Sequence, residues 1–438
     1  MGKKRKVISV IVLAVLLLGG LSVTASAQSL KSLSKQLRDL GREFYIGAAV
    51  PSNLGGSDQN IVTTEFDIMT CENDMKIGTI SPNRGQYNYS GGDRVVNLAR
   101  QNNMLVHGHA FVWHKYNPGW VDGTKSMMEE YITAVGNHFK GQIWGWDVVN
   151  EAFHRDGTFR INAIGSNGQD GASVFGQRQG KQYIEDAFKI AHRVDPNARL
   201  IYNDYSISTL DAKFNGMYTA MKDYMQRGIP ITGVGFQMHL NPDFTEAMAR
   251  SFGEKLQKLA DIGLESYITE MDGGAPNTST SGLEAQGDIY YWITKVALDQ
   301  PMFKVLQVWG IRDSQNWRIN PDAPEDKAVA PLIFNDNGQK KPAYYGIQRA
   351  MQEKIEELSE TPTPTPVPTA EPFDLGDCNH DNAINIVDAL LIAQNYVSLP
   401  VQNFYQESAD VNCNGAVDIV DALLIAQYYV NLVPAFQC

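Results

Sequence analysis

Two glutamates in this chain are placed where they could do chemistry. Glu151 ends the run Trp146-Asp147-Val148-Val149-Asn150-Glu151-Ala152, and Glu270 sits in Ile268-Thr269-Glu270-Met271-Asp272. Each follows an apolar, β-prone stretch and is flanked by polar hydrogen-bonding residues. A (β/α)8 barrel carries its reacting groups at the C-terminal ends of buried strands. Two carboxylates on different strands can flank a single glycosidic bond, which is the requirement for cleaving sugars.

Other polar and aromatic residues collect at further strand ends. They include Glu72-Asn73-Asp74-Met75-Lys76, His107-Gly108-His109, Val112-Trp113-His114, Asn203-Asp204-Tyr205 and Gln237-Met238-His239, with Asp272, Trp309 and Trp317. A single buried Asn or His is usually structural. Repetition of this polarity at seven consecutive strand ends is hard to assign to packing.

The elements that must hold these residues are buried strands over 44–50, 66–70, 105–110, 143–149, 199–203, 233–237, 265–269 and 305–308. Helical patterns such as 183–192, 213–227, 247–262 and 285–298 lie between them. This alternation predicts a closed parallel α/β barrel, a (β/α)8 TIM barrel. An open doubly wound sheet would carry a Gly-x-Gly-x-x-Gly turn after its first strand, which is absent here.

The chain has 438 residues, 43% hydrophobic and 20% charged, enough for more than one globular unit. Its net charge is −12 and no Lys or Arg follows Lys354, so nucleic acid is a poor partner. Lys3-Lys4-Arg5-Lys6, an apolar run and Ala25-Ser26-Ala27 read as an export signal over 1–27. This implies a secreted, extracellular protein with no stable membrane insertion after cleavage. A Pro/Thr linker over 359–372 separates a large module, 28–358, from a small one, 373–438. Four cysteines make no disulfide scaffold: Cys71 reads as a free core thiol, and among Cys378, Cys413 and Cys438 the favoured pair is Cys378 with Cys438.

The small module is a duplicated, all-α, EF-hand-like unit. Ile386–Gln394 recurs letter for letter at Ile419–Gln427. Asp377, Asn379, Asp381, Asn385 and Asp388 take positions 1, 3, 5, 9 and 12 of one loop, as Asp410, Asn412, Asn414, Asp418 and Asp421 do in the other. Oxygen ligands at this spacing suit Ca2+.

From about Ser29 to Glu357 the large module resembles glycoside hydrolase family 10, the endo-β-1,4-xylanases. The motifs that carry the resemblance are Thr-Cys-Glu-Asn-Asp-Met-Lys, Gly-His-Ala-Phe-Val-Trp-His, Trp-Asp-Val-Val-Asn-Glu-Ala, Asn-Asp-Tyr, Gly-Phe-Gln-Met-His-Leu, Ile-Thr-Glu-Met-Asp and Val-Trp-Gly-Ile-Arg-Asp-Ser-Gln-Asn-Trp-Arg. The resemblance implies a retaining double displacement on xylan, with Glu270 as nucleophile and Glu151 as acid/base. The two carboxyl groups would then lie about 5–5.5 Å apart. His239 and Asn150 would hydrogen-bond Glu270, and Asp272 would orient the histidine. Glu151 would need a raised pKa, which the neutral Gln237 does not oppose. Glu72, Asn73, Lys76, His109, Trp113 and Asn203 would contact the sugars, and Trp309 and Trp317 would cover the sugar at the cleavage point. No cofactor is implied for catalysis. The family's usual Trp-His-Ser-Gln is Trp113-His114-Lys115-Tyr116 here, His107 stands where arginine is common, and the loop 160–179 is unlike the usual pattern.

Over 375–434 the small module resembles a dockerin, which implies structural calcium and docking to a cohesin on a cellulosome-like scaffold. The positions that usually select the partner, Ile386-Val387 and Ile419-Val420, are unusually apolar.

Overall fold

The computed structural model describes residues 28–164, 170–319, 327–360 and 374–436. The export signal and nearly all of the Pro/Thr linker lie outside the described residues. The chain divides into two compact units after Ser359.

The large unit is built on nine strands: β1 Tyr45–Val50, β2 Ile68–Cys71, β3 Leu105–Trp113, β4 Gly145–Asn150, β5 Arg199–Asp204, β6 Gly233–Phe236, β7 His239–Leu240, β8 Glu265–Gly273 and β9 Phe303–Val308. Eight of them close a parallel barrel: β1 pairs with β2 and β9, and β6 pairs with β8. The two-residue β7 rides on the end of β8, His239 opposite Asp272. The expected strands and barrel are all present. Helices at Gln182–Val194, Asp211–Gln226, Glu246–Ala260 and Thr280–Leu298 bury apolar faces against the strands. Thr245 and Ser279 cap the last two through their hydroxyls.

Two strands run further than expected. β3 continues to Trp113 through a register shift between His109 and Val112, and β8 continues to Gly273 because β7 pairs with its end. Asp272 is therefore paired to β7 at the end of its strand, and Glu270 falls in a register irregularity of β8 against β9 between Ile268 and Met271.

Alternation along the strands sorts the barrel interior into layers. Ile68, Ile201, Tyr267 and Val305 plug the lower end. Two residues further up their strands, Thr70 and Gln307 begin a polar layer. Thr70 Oγ1 donates to Gln307 Oε1 at 2.7 Å, and Gln307 Nε2 donates to His107 Nδ1 at 2.8 Å. That leaves the His107 proton on Nε2, 2.9 Å from Asp147 Oδ1. Gly47 makes room for this layer: a Cβ there would lie 2.8 Å from Gln307 Cγ and 2.5 Å from Ile68 Cγ2.

In the small unit, helices Ile386–Tyr396 and Ile419–Tyr429 each begin with a capping box, Asn385 with Asp388 and Asp418 with Asp421. They pack on a small core of Cys378, Ala389, Ile392, Ala409, Val411, Ala422 and Ile425. The expected Cys378–Cys438 bridge is not formed. Cys378 is a free thiol, fully buried in this core with its Sγ against the Gly376 carbonyl, and Cys413 is the disulfide-bonded residue. Cys71 is a free, buried thiol as expected.

Candidate active site

Glu151 follows the last residue of β4 and takes a left-handed conformation, φ 57°. Its N–H donates to the Asn203 carbonyl at 2.9 Å, and its Oε1 accepts from Gln237 Nε2 at 3.1 Å. His114 Nδ1 lies 3.6 Å from Oε2. Glu270, on β8, accepts from Asn203 Nδ2 at 2.7 Å, and its Oε2 lies 3.3 Å from His239 Nε2. Both carboxylates are 5% exposed, enough burial to strengthen every charge interaction at the site.

The expected donor Asn150 does not reach Glu270; Asn203 takes that place. Asn203 is fixed in turn, because its Oδ1 accepts from Thr269 Oγ1 at 2.7 Å. A Cβ at Gly235 would fall 2.5 Å from that same Oδ1. Asn150 serves one step back, its amide 3.0 Å from Asn203 Nδ2 and 3.4 Å from Gln237 Nε2. Rotated about its Cβ–Cγ bond, the same amide accepts from Trp113 Nε1 at 3.3 Å.

Asp272 orients His239 as expected, with its Oδ2 3.0 Å from Nδ1. It also collects Asn316 Nδ2 at 3.0 Å, Trp317 Nε1 at 3.2 Å and Arg318 Nη1 at 2.9 Å. Burial raises the Asp272 pKa, but His239, Arg318 and Asn316 outweigh it and hold the carboxyl below the usual range. Burial works against a charged His239, and Asp272 and Glu270 overcome it, raising the imidazole to about 10. A protonated histidine beside Glu270 places a positive charge 3.3 Å from its Oε2.

Glu151 departs from the raised pKa expected of it. Burial opposes its charge, but a protonated His114, Lys115 and the Gln237 and Trp113 donors together hold the carboxyl low. The His114 contribution exists only in acid, since burial pushes that imidazole down to about 4.

The polar layer continues upward, with Asp147 Oδ2 2.8 Å from His109 Nδ1. Burial raises Asp147, and His107 and His109 more than offset it, keeping the carboxyl ionised. The His109 ring meets Trp113 and Trp309 edge-on at 5.7 and 5.4 Å. Lys76, buried at 7% exposure, bonds Asn73 Oδ1 at 2.9 Å. Its pKa is lowered by burial against the pull of Glu270, Glu72 and Glu151. Glu72 is half-buried, and burial raises its pKa. Trp317 is 37% exposed and its ring lies 5.1 Å from His239. Tyr116 lies under Lys76, whose Nζ is 4.7 Å from the ring, and 5.1 Å from the Trp113 ring.

Of the contacts expected between side chains, His239 with Glu270 and Asp272 with His239 are formed, and Asn150 with Glu270 is replaced by Asn203 with Glu270. Thr70, Gln307, Asn316, Arg318 and Arg160 were given no individual role; Thr70, Asn316 and Arg318 lie within the family motifs, whereas Gln307 and Arg160 lie outside them. Among the described residues one group, His109, Asp147 and Glu270, brings three candidate metal-ligand atoms within 4.8 Å of one another. Asp147 already faces two imidazoles and Glu270 faces Asn203 and His239, so these atoms are engaged in hydrogen bonding.

The donor sets of the small unit are all oxygen. Asp377 accepts from the N–H groups of Asp381 and Asn382 at 3.1 and 2.8 Å, and Asp410 accepts from Asn414 and Gly415 at 3.1 and 2.9 Å. These bonds fold positions 1, 3 and 5 around one turn. The sixth residues, Asn382 (φ 67°) and Gly415 (φ 86°), are both left-handed. Asp388 and Asp421, fully buried, close the loops by accepting from Cys378 N–H and Val411 N–H at 2.8 and 3.1 Å. This arrangement fits a hard cation.

Comparison with known proteins agrees with these features. Residues 32–350 match the sequence model of glycosyl hydrolase family 10, and residues 375–429 match that of the dockerin type I domain. The chain is 38% identical over 306 residues to endo-1,4-beta-xylanase B of Thermotoga neapolitana, covering 68% of this chain and 84% of that one. It is 32% identical over 336 residues to endo-1,4-beta-xylanase 3 of Hypocrea jecorina, covering 74% and 87%. The crystal structure of native xylanase 10B from Thermotoga maritima superposes with a TM-score of 0.67 at 37% identity, covering 75% of this chain and 99% of that one.

Proposed function

Because the chain belongs to glycosyl hydrolase family 10 and carries a type I dockerin domain after its barrel, we propose that it is a secreted endo-β-1,4-xylanase acting with retention. Its dockerin would tether it to a cohesin scaffold. The observation that carries the reading is the different company of the two glutamates, Glu270 beside a charged imidazole and Glu151 beside a neutral amide.

In the first step Glu270 attacks the anomeric carbon, the bond to the leaving sugar oxygen breaks, and the Glu151 proton passes to that oxygen. In the second, Glu151, now ionised, takes a proton from water. The water oxygen attacks the anomeric carbon and displaces Glu270. Asn203 and His239 hold and aim Glu270, and Gln237 holds Glu151 by one oxygen, leaving Oε2 to exchange the proton. Glu72, Asn73, Lys76, His109 and Trp113 bind the sugars before the cut, with Asn203 beside them. Trp309 and Trp317 cover the sugar at the cut, their faces suited to C–H surfaces.

In the small unit, Asp377, Asn379, Asp381, Asn385 and Asp388, and their counterparts from Asp410 to Asp421, would hold calcium. The cation supplies the charge that draws these oxygens together. A cohesin would dock on the cleft of about 550 Å³ lined by Ile386, Val387, Leu390, Ile419, Val420 and Leu423, all 46–56% exposed. Among the described residues no helix is long and apolar enough to cross a membrane.

Product release from glucuronoxylan and carboxymethylcellulose, by wild type and Glu270→Ala, tests this reading. Xylo-oligosaccharides from the wild type alone, formed first as the β-anomer by NMR, support it. Release from cellulose but not xylan overturns the substrate, and α-anomer formed first overturns retention.

A further inference from the structure

Arg160 is 1% exposed, and it lies in the loop that departs from the usual family pattern. A guanidinium has five N–H donors, and here all five have acceptors. Nε donates to the Glu151 carbonyl at 2.9 Å. Nη1 donates to the Asp170 carboxylate and to the Gly171 carbonyl at 2.8 Å. Nη2 donates to the Phe153 carbonyl at 3.2 Å and to Tyr205 Oη at 3.1 Å. The Arg160 backbone N–H takes the carbonyl between them, Ala152, at 2.8 Å. One residue thus holds three successive carbonyls, those of 151, 152 and 153. The amides on the other side are held from β5: Glu151 N–H by the Asn203 carbonyl and Ala152 N–H by Tyr202 Oη at 3.0 Å.

Glu151 needs such a grip. Its φ of 57° lies in the left-handed region that disfavours an L-residue, so without these bonds the segment would relax toward the β region. The Glu151 Cα–Cβ vector would then swing away from its present direction. Asp170 balances the buried charge and is steadied by His154 Nδ1, 2.9 Å from its Oδ2.

We propose that Arg160, seated on Asp170, is the positioning residue for Glu151: it holds the strained backbone that aims the carboxyl at the leaving-group oxygen. This rests on the reading of Glu151 as acid/base. A sugar leaving group needs that proton, whereas 2,4-dinitrophenolate leaves without it. The test compares kcat/KM on xylan and on 2,4-dinitrophenyl β-xylobioside for wild type, Glu151→Ala, Arg160→Lys and Asp170→Asn, with folding checked by circular dichroism.

Glu151→Ala should lose about 10²–10⁴-fold on xylan, the usual worth of general acid catalysis, and less than about tenfold on the activated glycoside. Arg160→Lys should show the same split, about 10²-fold against less than tenfold. Asp170→Asn should show a smaller one. Equal losses on both substrates in a folded Arg160→Lys, or no loss on either, overturn the proposal. If Arg160→Lys does not fold, the Asp170→Asn split decides, and its absence overturns the proposal. If Glu151→Ala itself shows no split, the acid/base reading has failed, whatever the Arg160 variants do.

Discussion

Asn203 Nδ2 lies 2.7 Å from Glu270 Oε1, and the same side chain is pinned by Thr269 through its oxygen. The bond joins a neutral donor to a carboxylate inside a buried site, where such bonds are worth about 1.5–3 kcal/mol. Asn203→Ala should therefore lower kcat/KM on xylan by about 10- to 100-fold with the barrel's circular dichroism retained. An Asn203→Ala variant with undiminished turnover would remove this bond from the account of catalysis.

His239 should leave a mark on stability at alkaline pH. Its pKa is raised from 6.5 to about 10 in the folded protein by Asp272 and Glu270. The folded state holds this proton more tightly than the unfolded chain, so the stabilisation is complete below pH 6.5 and is lost as pH rises toward 10. The free energy of urea unfolding should fall across that window in the wild type and fall less steeply in His239→Asn. Parallel slopes would show that the imidazole is not charged in the native site.

Tyr116 is 59% exposed beside Trp113 and Lys76. It offers a broad ring face where the family resemblance leads one to expect glutamine. Tyr116→Ala should change stability by no more than about 0.5 kcal/mol, as is usual for surface positions. It should raise KM for long xylo-oligosaccharides by roughly 3- to 10-fold with kcat little changed, the pattern of lost uniform binding. Steady-state kinetics on a series of chain lengths would show it, and a fall in kcat alone would contradict it.

Calcium removal should separate the two units. Scanning calorimetry of the full chain should show two transitions, and chelation should lower or abolish only the one belonging to the dockerin. Xylan hydrolysis should be unchanged by chelation. Loss of activity with EDTA would mean that the barrel itself depends on a metal.

Much of this was legible in the sequence because the barrel repeats one grammar: a short apolar run, then a polar residue at its end. Glu151, Glu270, His239 and Asp272 all obey it. What could not be read depends on distance and dihedral angle. Asn150 and Asn203 are the same residue type at neighbouring strand ends, and only the register of β4 against β5 decides which amide faces Glu270. The left-handed turn at Glu151 has no glycine to announce it, so the need for Arg160 was invisible. The cysteine pairing failed for a similar reason. Cys378 alternates into the core of the small unit, a placement that packing decides and spacing does not.

The polar layer beneath the site carries one more consequence. Thr70, Gln307 and His107 form a line whose middle member is an amide, and an amide can be turned end for end. In the present setting Thr70 gives a proton to the Gln307 oxygen and His107 takes one from its nitrogen. An arginine at position 107 could only donate. Rotating Gln307 by half a turn would meet it with oxygen and offer the nitrogen to the Thr70 hydroxyl, which can also accept. The hydrogen bonds of this layer can thus be satisfied with either a donor-and-acceptor or a donor-only residue at position 107, because the amide between it and Thr70 reverses to suit.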